Sequence, residues 1–208
     1  MTVGVKICGI NDPAAFDAAV EAGADWLGFV FFPRSPRYIT PERAADLSAR
    51  ATGGPARVGL FVDPTDAAIE TVLGLVRLDA LQLYVDTARA REVRSRYGVP
   101  VWHAVGIASP ADLPTDVEGI DRLVLEAKPP QMASRPGGNA TRFDWSLLHD
   151  WRAPAPWILA GGLDPDNVLA AIQATGAAAV DVSSGVESAP GVKDPGLIRS
   201  FVATARRA

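Results

Sequence analysis

The chain has 208 residues, 48% of them hydrophobic and 21% charged, which is the balance of a soluble globular protein long enough for a full core. A net charge of -4 and a pI near 5.2 exclude the basic footprint of a nucleic-acid binder, and no apolar run approaches the ~18 residues of a membrane helix. One cysteine, Cys8, excludes an intrachain disulfide and suits a reducing cytosol, and with only His103 and His149 beside it a structural zinc site has no ligand set. The N-terminal residues lack the basic and apolar regions of a secretory signal, so a cytoplasmic protein is expected. The sequon-like Asn139-Ala140-Thr141 then reads as chance. No residue pattern speaks to an oligomeric state.

Taken in chain order, the local pattern that organises the sequence is a capping residue followed by proline. It occurs at Asp12-Pro13, Thr40-Pro41, Asp63-Pro64, Ser109-Pro110, Asp164-Pro165 and Asp194-Pro195, with Thr87 and Asp144 as further cap candidates. A short polar side chain accepts an orphan backbone N–H there, and proline at the first helical position has its φ preset. Short apolar runs precede these caps, at 3–8, 26–32, 58–62, 80–83, 99–105, 123–125, 157–160 and 178–182. Near-continuous apolar strands indicate burial on both faces of a parallel sheet. The first helix supplies the other half of the unit, because Phe16, Ala19, Val20 and Gly23 fall at i, i+3, i+4 and i+7. The caps recur about every 26 residues, and eight such units fill the chain, which favours a closed barrel over a doubly wound open sheet. The expectation is an α/β fold, a (β/α)₈ TIM barrel forming one domain over 1–208. Its fifth helix is expected to be degenerate, since 109–119 packs Pro110, Pro114 and many polar residues together. The Pro- and Gly-rich run at 128–139 reads as a long active-site loop.

In such barrels chemistry sits at the C-terminal ends of the strands, and phosphate commonly binds after the seventh and eighth. Those positions read Ala160-Gly161-Gly162-Leu163 and Asp181-Val182-Ser183-Ser184-Gly185. Glycines let backbone amides approach a phosphate, and serine hydroxyls can add hydrogen bonds. The first strand ends Lys6-Ile7-Cys8-Gly9. Alternation puts Lys6 and Cys8 on one side, and Ile7 suits the helix-facing side, so Lys6 and Cys8 point into the barrel. A lone buried cysteine is ordinarily an inert small hydrophobe; at the top of a barrel strand, with positive charge nearby to favour its thiolate, it could instead be a proton-transfer base. After the second strand, Arg34 and Arg37 lie in a proline-stiffened loop that could grip a carboxylate or phosphate, or could be a solvated turn. Glu126, ending the sixth strand, is a general-acid candidate or a structural partner for Lys128 or Arg142.

Together these segments resemble the phosphoribosylanthranilate isomerase family, aldose–ketose isomerases of tryptophan biosynthesis. The likeness runs in order along nearly the whole chain. It is carried by Val5-Lys6-Ile7-Cys8-Gly9, Gly28-Phe29-Val30-Phe31-Phe32-Pro33 with Ser35-Pro36-Arg37-Tyr38, Val58-Gly59-Leu60-Phe61-Val62, Leu81-Gln82-Leu83, Phe143-Asp144-Trp145, Leu159-Ala160-Gly161-Gly162-Leu163, and 180–187 with 190–194. The resemblance implies an Amadori rearrangement without cofactor or metal, on a phosphorylated sugar. It makes Cys8 the base, Glu126 the acid, Arg37 the partner of the anthranilate carboxylate, and Asp181 a holder of the reacting sugar. Lys6, Gln82 and Tyr84 are placed among the substrate-binding residues, and Gly161, Gly162, Ser183, Ser184 and Gly185 around the phosphate. Three positions depart from the family pattern. Glu126 stands where the family typically has aspartate, Tyr84-Val85 stands for His-Gly, and the Gly-Gly-Asn-Gly-like loop ends in Ala140. Two alternatives stand beside an active isomerase. One is a catalytically impaired phosphosugar binder of the same family. The other is a dual-specificity barrel of the histidine and tryptophan pathways, whose paired aspartates and half-barrel repeat are not found in the sequence.

Overall fold

A computed structural model describes residues 2–128 and 142–208. The run read as an active-site loop (apart from Lys128), the Asn139-Ala140-Thr141 sequon and the departure at Ala140 lie outside the described residues.

Eight parallel strands close into a barrel in chain order: β1 (Gly4–Cys8), β2 (Trp26–Val30), β3 (Ala56–Val62), β4 (Ala80–Tyr84), β5 (Val101–Ile107), β6 (Arg122–Ala127), β7 (Trp157–Leu159) and β8 (Ala179–Val182). Closure comes from pairing β1 with β8, which sets Lys6 opposite Asp181. Each apolar run read from the sequence corresponds to one strand, with ends shifted by a residue or two.

Among the described residues six α-helices pack outside the strands: α1 (Pro13–Glu21), α2 (Pro41–Ser48), α3 (Asp66–Leu75), α4 (Thr87–Tyr97), α5 (Val168–Thr175) and α6 (Pro195–Ala205). Asp12, Thr40 and Asp194 cap α1, α2 and α6, each side chain accepting a backbone N–H of the first turn. Three other starts fall differently. Asp63 has a φ of +43°, which is incompatible with the extended backbone of a cap, so Thr65 takes that role for α3. Asp86 rather than Thr87 caps α4. Asp164 organises a turn, accepting from the amides of Asp166 and Asn167, and α5 begins only after it. The fifth unit has a three-residue 3₁₀ turn at Pro110–Asp112, as its composition suggested. The sixth is equally reduced, to Trp145–Leu148. None of these helices is long and apolar enough to cross a membrane.

The main core lies between strands and helices and includes Ile7, Leu27, Phe29, Phe61, Leu81 and Phe201. A second cluster, with Val58, Val124 and Ile158, fills the barrel itself. Its floor is closed by Trp26 and Trp102, edge to face at 5.5 Å, with the Arg122 guanidinium carbon 4.8 and 5.0 Å from their ring centres. The barrel interior is therefore solid below, and any ligand must enter from the opposite rim.

Candidate active site

At that rim the strand ends surround a cleft of about 640 Å³, open to solvent. Cys8 from β1, Tyr84 from β4, Glu126 from β6 and Asp181 from β8 all line it, together with Arg37 from the loop after β2. Their convergence follows from strand alternation: Ile7 packs in the outer core, which turns its neighbours Lys6 and Cys8 inward. Gly28 on β2 makes room for both. A Cβ at that position would stand 3.0 Å from Cys8 Sγ and 3.2 Å from Lys6 Nζ.

Lys6 is fully buried beneath the cleft rather than lining it, and its Nζ donates to Asp181 Oδ1 at 2.9 Å. Burial opposes its charge, but Asp181 and Cys8 outweigh burial and raise its pKa above the ordinary value. Cys8 is different. Burial raises its pKa, Lys6 and Lys193 pull it down, Asp181 pushes it up, and the net direction is upward. Neighbouring cations favour a thiolate, but the loss of water outweighs them, so Cys8 is a thiol in the resting protein.

Glu126 is 6% exposed and its pKa is raised to about 8, first by burial and then by the negative charge of Asp181; Tyr84 and Lys6 act in the other direction. At neutral pH it keeps its proton, as a proton donor must. Neither structural partner considered for it is used. Lys128 pairs with Asp112 at 3.1 Å, and the Arg142 guanidinium lies 6.0 Å from the Trp145 ring centre.

The loops after β7 and β8 form one wall. Gly161 and Gly162 have φ of +83° and +65°, backbone that side-chain-bearing residues rarely adopt, and they line the cleft with Ser183 and Ser184. Gly185 lies outside this cleft, in an adjoining depression shared with Gly162, Ser184 and Arg142. Gln82 is buried below the rim and touches the site through Tyr84, to whose hydroxyl its Nε2 donates at 3.4 Å.

The two loop arginines separate: Arg34 is exposed, whereas Arg37 is buried at the cleft and held by Glu187 through two bonds of 2.6 and 2.8 Å. Glu187 also accepts from Lys193 at 2.6 Å, and Lys193 donates to the Ser183 carbonyl oxygen at 2.9 Å. The Ser183 hydroxyl in turn donates to the Cys8 carbonyl oxygen at 3.1 Å. Glu187 and Lys193 sit on a small hairpin, β9 (Glu187–Ala189) and β10 (Val192–Lys193). Sequence reasoning gave neither a role, because the ion pair with Arg37 spans 150 residues and no local spacing announces it.

The sequence profile described as N-(5'phosphoribosyl)anthranilate (PRA) isomerase matches residues 5–204. Proteins named N-(5'-phosphoribosyl)anthranilate isomerase include one from Acidiphilium cryptum, 59% identical and covering 98% of both chains. Another, from Paracoccus denitrificans, is 55% identical over 99% of this chain and 98% of its own. The crystal structure of phosphoribosyl anthranilate isomerase from Thermotoga maritima superposes with a TM-score of 0.85 at 38% identity, covering 99% of this chain and 100% of that one. With a profile match over almost all of its length and relatives this close, the chain belongs to the N-(5'-phosphoribosyl)anthranilate isomerase family.

Proposed function

We propose that the protein converts N-(5-phosphoribosyl)anthranilate to 1-(2-carboxyphenylamino)-1-deoxyribulose 5-phosphate, the isomerisation for which its family is named, and that the rim residues divide the work as follows. Glu126, protonated at neutral pH, gives its proton to the furanose ring oxygen. The C1′–O bond breaks as the anthranilate nitrogen shares its lone pair with C1′, leaving an open-chain Schiff base. Cys8 then takes the C2′ proton, and the resulting enolamine tautomerises to the ketose. The cationic Schiff base places positive charge in the cleft, which favours the Cys8 thiolate that burial disfavours at rest, and the thiol proton leaves to solvent through the open cleft before Cys8 accepts the C2′ proton. Asp181, held in place by its bond to Lys6, is suited to hold a sugar hydroxyl.

Arg37 is oriented by Glu187 toward the cleft, where it can meet the anthranilate carboxylate. The Gly161-Gly162 and Ser183-Ser184 loops supply backbone amides and hydroxyls for the phosphate, with Gly185 behind them. Gln82 and Lys6 support this set from beneath. A related structure, 36% identical with a TM-score of 0.83 over 99% of this chain and 100% of its own, holds reduced 1-(o-carboxyphenylamino)-1-deoxyribulose 5-phosphate, which agrees with a phosphosugar ligand. An unpaired cysteine suits a cytoplasmic location.

The observation that carries the reading is Glu126, a buried carboxyl that lines the same cleft as Cys8 and Asp181. The test is consumption of N-(5-phosphoribosyl)anthranilate by the purified protein, with Cys8→Ser as control. Turnover that survives in the control removes Cys8 from the mechanism, and absence of turnover in the unaltered protein removes the function.

A further inference from the structure

The inner face of β5 is thin at the rim. Its inward residues run Trp102, Ala104 and Gly106, and Gly106 stands in register with Glu126 on β6. Strands two apart in a sheet are separated by about 10 Å. With only a methyl group and a glycine between them, Tyr84 at the end of β4 and Glu126 near the end of β6 face each other over β5, and both line the cleft.

Tyr84 is steered from below. Its hydroxyl oxygen accepts from Gln82 Nε2 at 3.4 Å, which leaves the single phenolic proton for another acceptor. The charged and titratable groups that bear on Glu126 are Tyr84 from β4, Asp181 from β8 and Lys6 from β1. Lys6 is committed to Asp181 at 2.9 Å and Asp181 repels a carboxylate, so the neutral donor in this set is the phenol.

We propose that Tyr84 is a positioning residue for Glu126: its hydroxyl, aimed by Gln82, donates to the Glu126 carboxyl, holds that side chain at one setting in the cleft, and ties the site to the length of glutamate. This inference rests on the reading of Glu126 as the proton donor. A glutamate has one more rotatable bond than an aspartate, and an unheld acid would lose alignment with the ring oxygen. The donated bond also favours the ionised form, so it restrains the upward push that burial gives this group and keeps the proton transferable near neutral pH.

Three variants separate the inference from the reading beneath it. Glu126→Gln must abolish turnover; if it does not, Glu126 is not the acid and the role assigned to Tyr84 falls with it. Given that loss, Tyr84→Phe decides the inference. In protein labelled with ¹³C at glutamate side-chain carboxyls, the Glu126 resonance (identified by its absence in Glu126→Gln) should titrate with a higher midpoint in Tyr84→Phe than in the unaltered protein. Turnover should fall roughly tenfold with KM changed about twofold or less, the pattern of lost alignment rather than lost binding. Glu126→Asp should cost ~10²-fold by itself but only a few-fold in the Tyr84→Phe background, because the shorter acid then has no phenol to miss. An unmoved midpoint with additive rate losses would overturn the proposal, as would a lowered urea midpoint as the sole effect of Tyr84→Phe, which would mark Tyr84 as a packing residue.

Discussion

Each end of the barrel interior holds a cation, Lys6 near the rim and Arg122 at the floor, and the two are satisfied in opposite ways. Lys6 faces the Asp181 carboxylate at 2.9 Å, while Arg122 leans on the faces of Trp26 and Trp102. Burial lowers the pKa of Arg122, whereas for Lys6 the neighbouring anion outweighs burial and the shift is upward. The partner therefore decides what a cation inside the barrel does. A carboxylate partner links Lys6 electrostatically to Cys8 and Glu126, so the protons of the rim are interdependent. Aromatic faces carry no titratable proton near neutral pH, and the floor is a mechanical seal.

The sharpest way to break this comparison is to remove a proton carrier at the rim. Cys8→Ala should lower kcat by ~10²–10⁴-fold, the usual contribution of a general base, with little change in KM; steady-state kinetics on the purified variant would show it. Removing the rim cation should act on folding as well. Lys6→Met leaves Asp181 without its counter-ion, and breaking a buried pair in this way typically costs about 3–5 kcal/mol, measurable as a lower urea midpoint.

Glu126 offers a pH test whose sign is fixed by its shift. Below its ordinary pKa of 4.5 the acid is protonated in both folded and unfolded chains and contributes no difference. Between 4.5 and about 8 the unfolded chain releases this proton while the folded protein retains it, so stability from this group drains away as pH rises through that window. Glu126→Gln has no such proton. It should match the unaltered protein near pH 4 and exceed it by about 3 kcal/mol at pH 7 in urea unfolding, and a difference that stays constant with pH would contradict the upward shift. At the floor the effect should be smallest: Arg122→Met should leave kcat unchanged and cost about 1 kcal/mol, the scale of a partly desolvated cation–π contact. A loss of turnover there would mean that floor and rim are not independent.

Much of this division was legible in the sequence. Strand alternation places Lys6 and Cys8 inward, and the apolar runs locate all eight strands. Helix starts are less legible where a second residue able to cap lies close to the candidate, as Thr65 does to Asp63 and Asp86 does to Thr87. There the choice depends on backbone conformation, such as the left-handed φ of Asp63, that composition does not encode. The sixth unit was expected to carry a helix from Asp144, yet that residue caps only four residues of 3₁₀ turn. At the site, residue types were readable and partnerships were not. Arg37 is fixed by a glutamate 150 residues away, and Tyr84 and Glu126 line one cleft from strands on either side of a β5 that carries only Ala104 and Gly106 there. Such distances belong to closure of the sheet, not to local spacing. Burial was the other quantity hidden from the sequence, and it reverses the expected state of Cys8.

The seam between β1 and β8 carries a consequence for how the protein matures. Lys6 and Asp181 are 175 residues apart, as are Cys8 and Ser183, and each pair meets only where the last strand docks against the first. Bringing such distant segments together costs loop entropy that no earlier, partial sheet repays. During synthesis the N-terminal strand emerges long before its partner, so the lysine and the thiol wait without the carboxylate that will govern them. Competence is thus withheld until the ring is complete, and the ability to turn over substrate is a direct readout of finished folding.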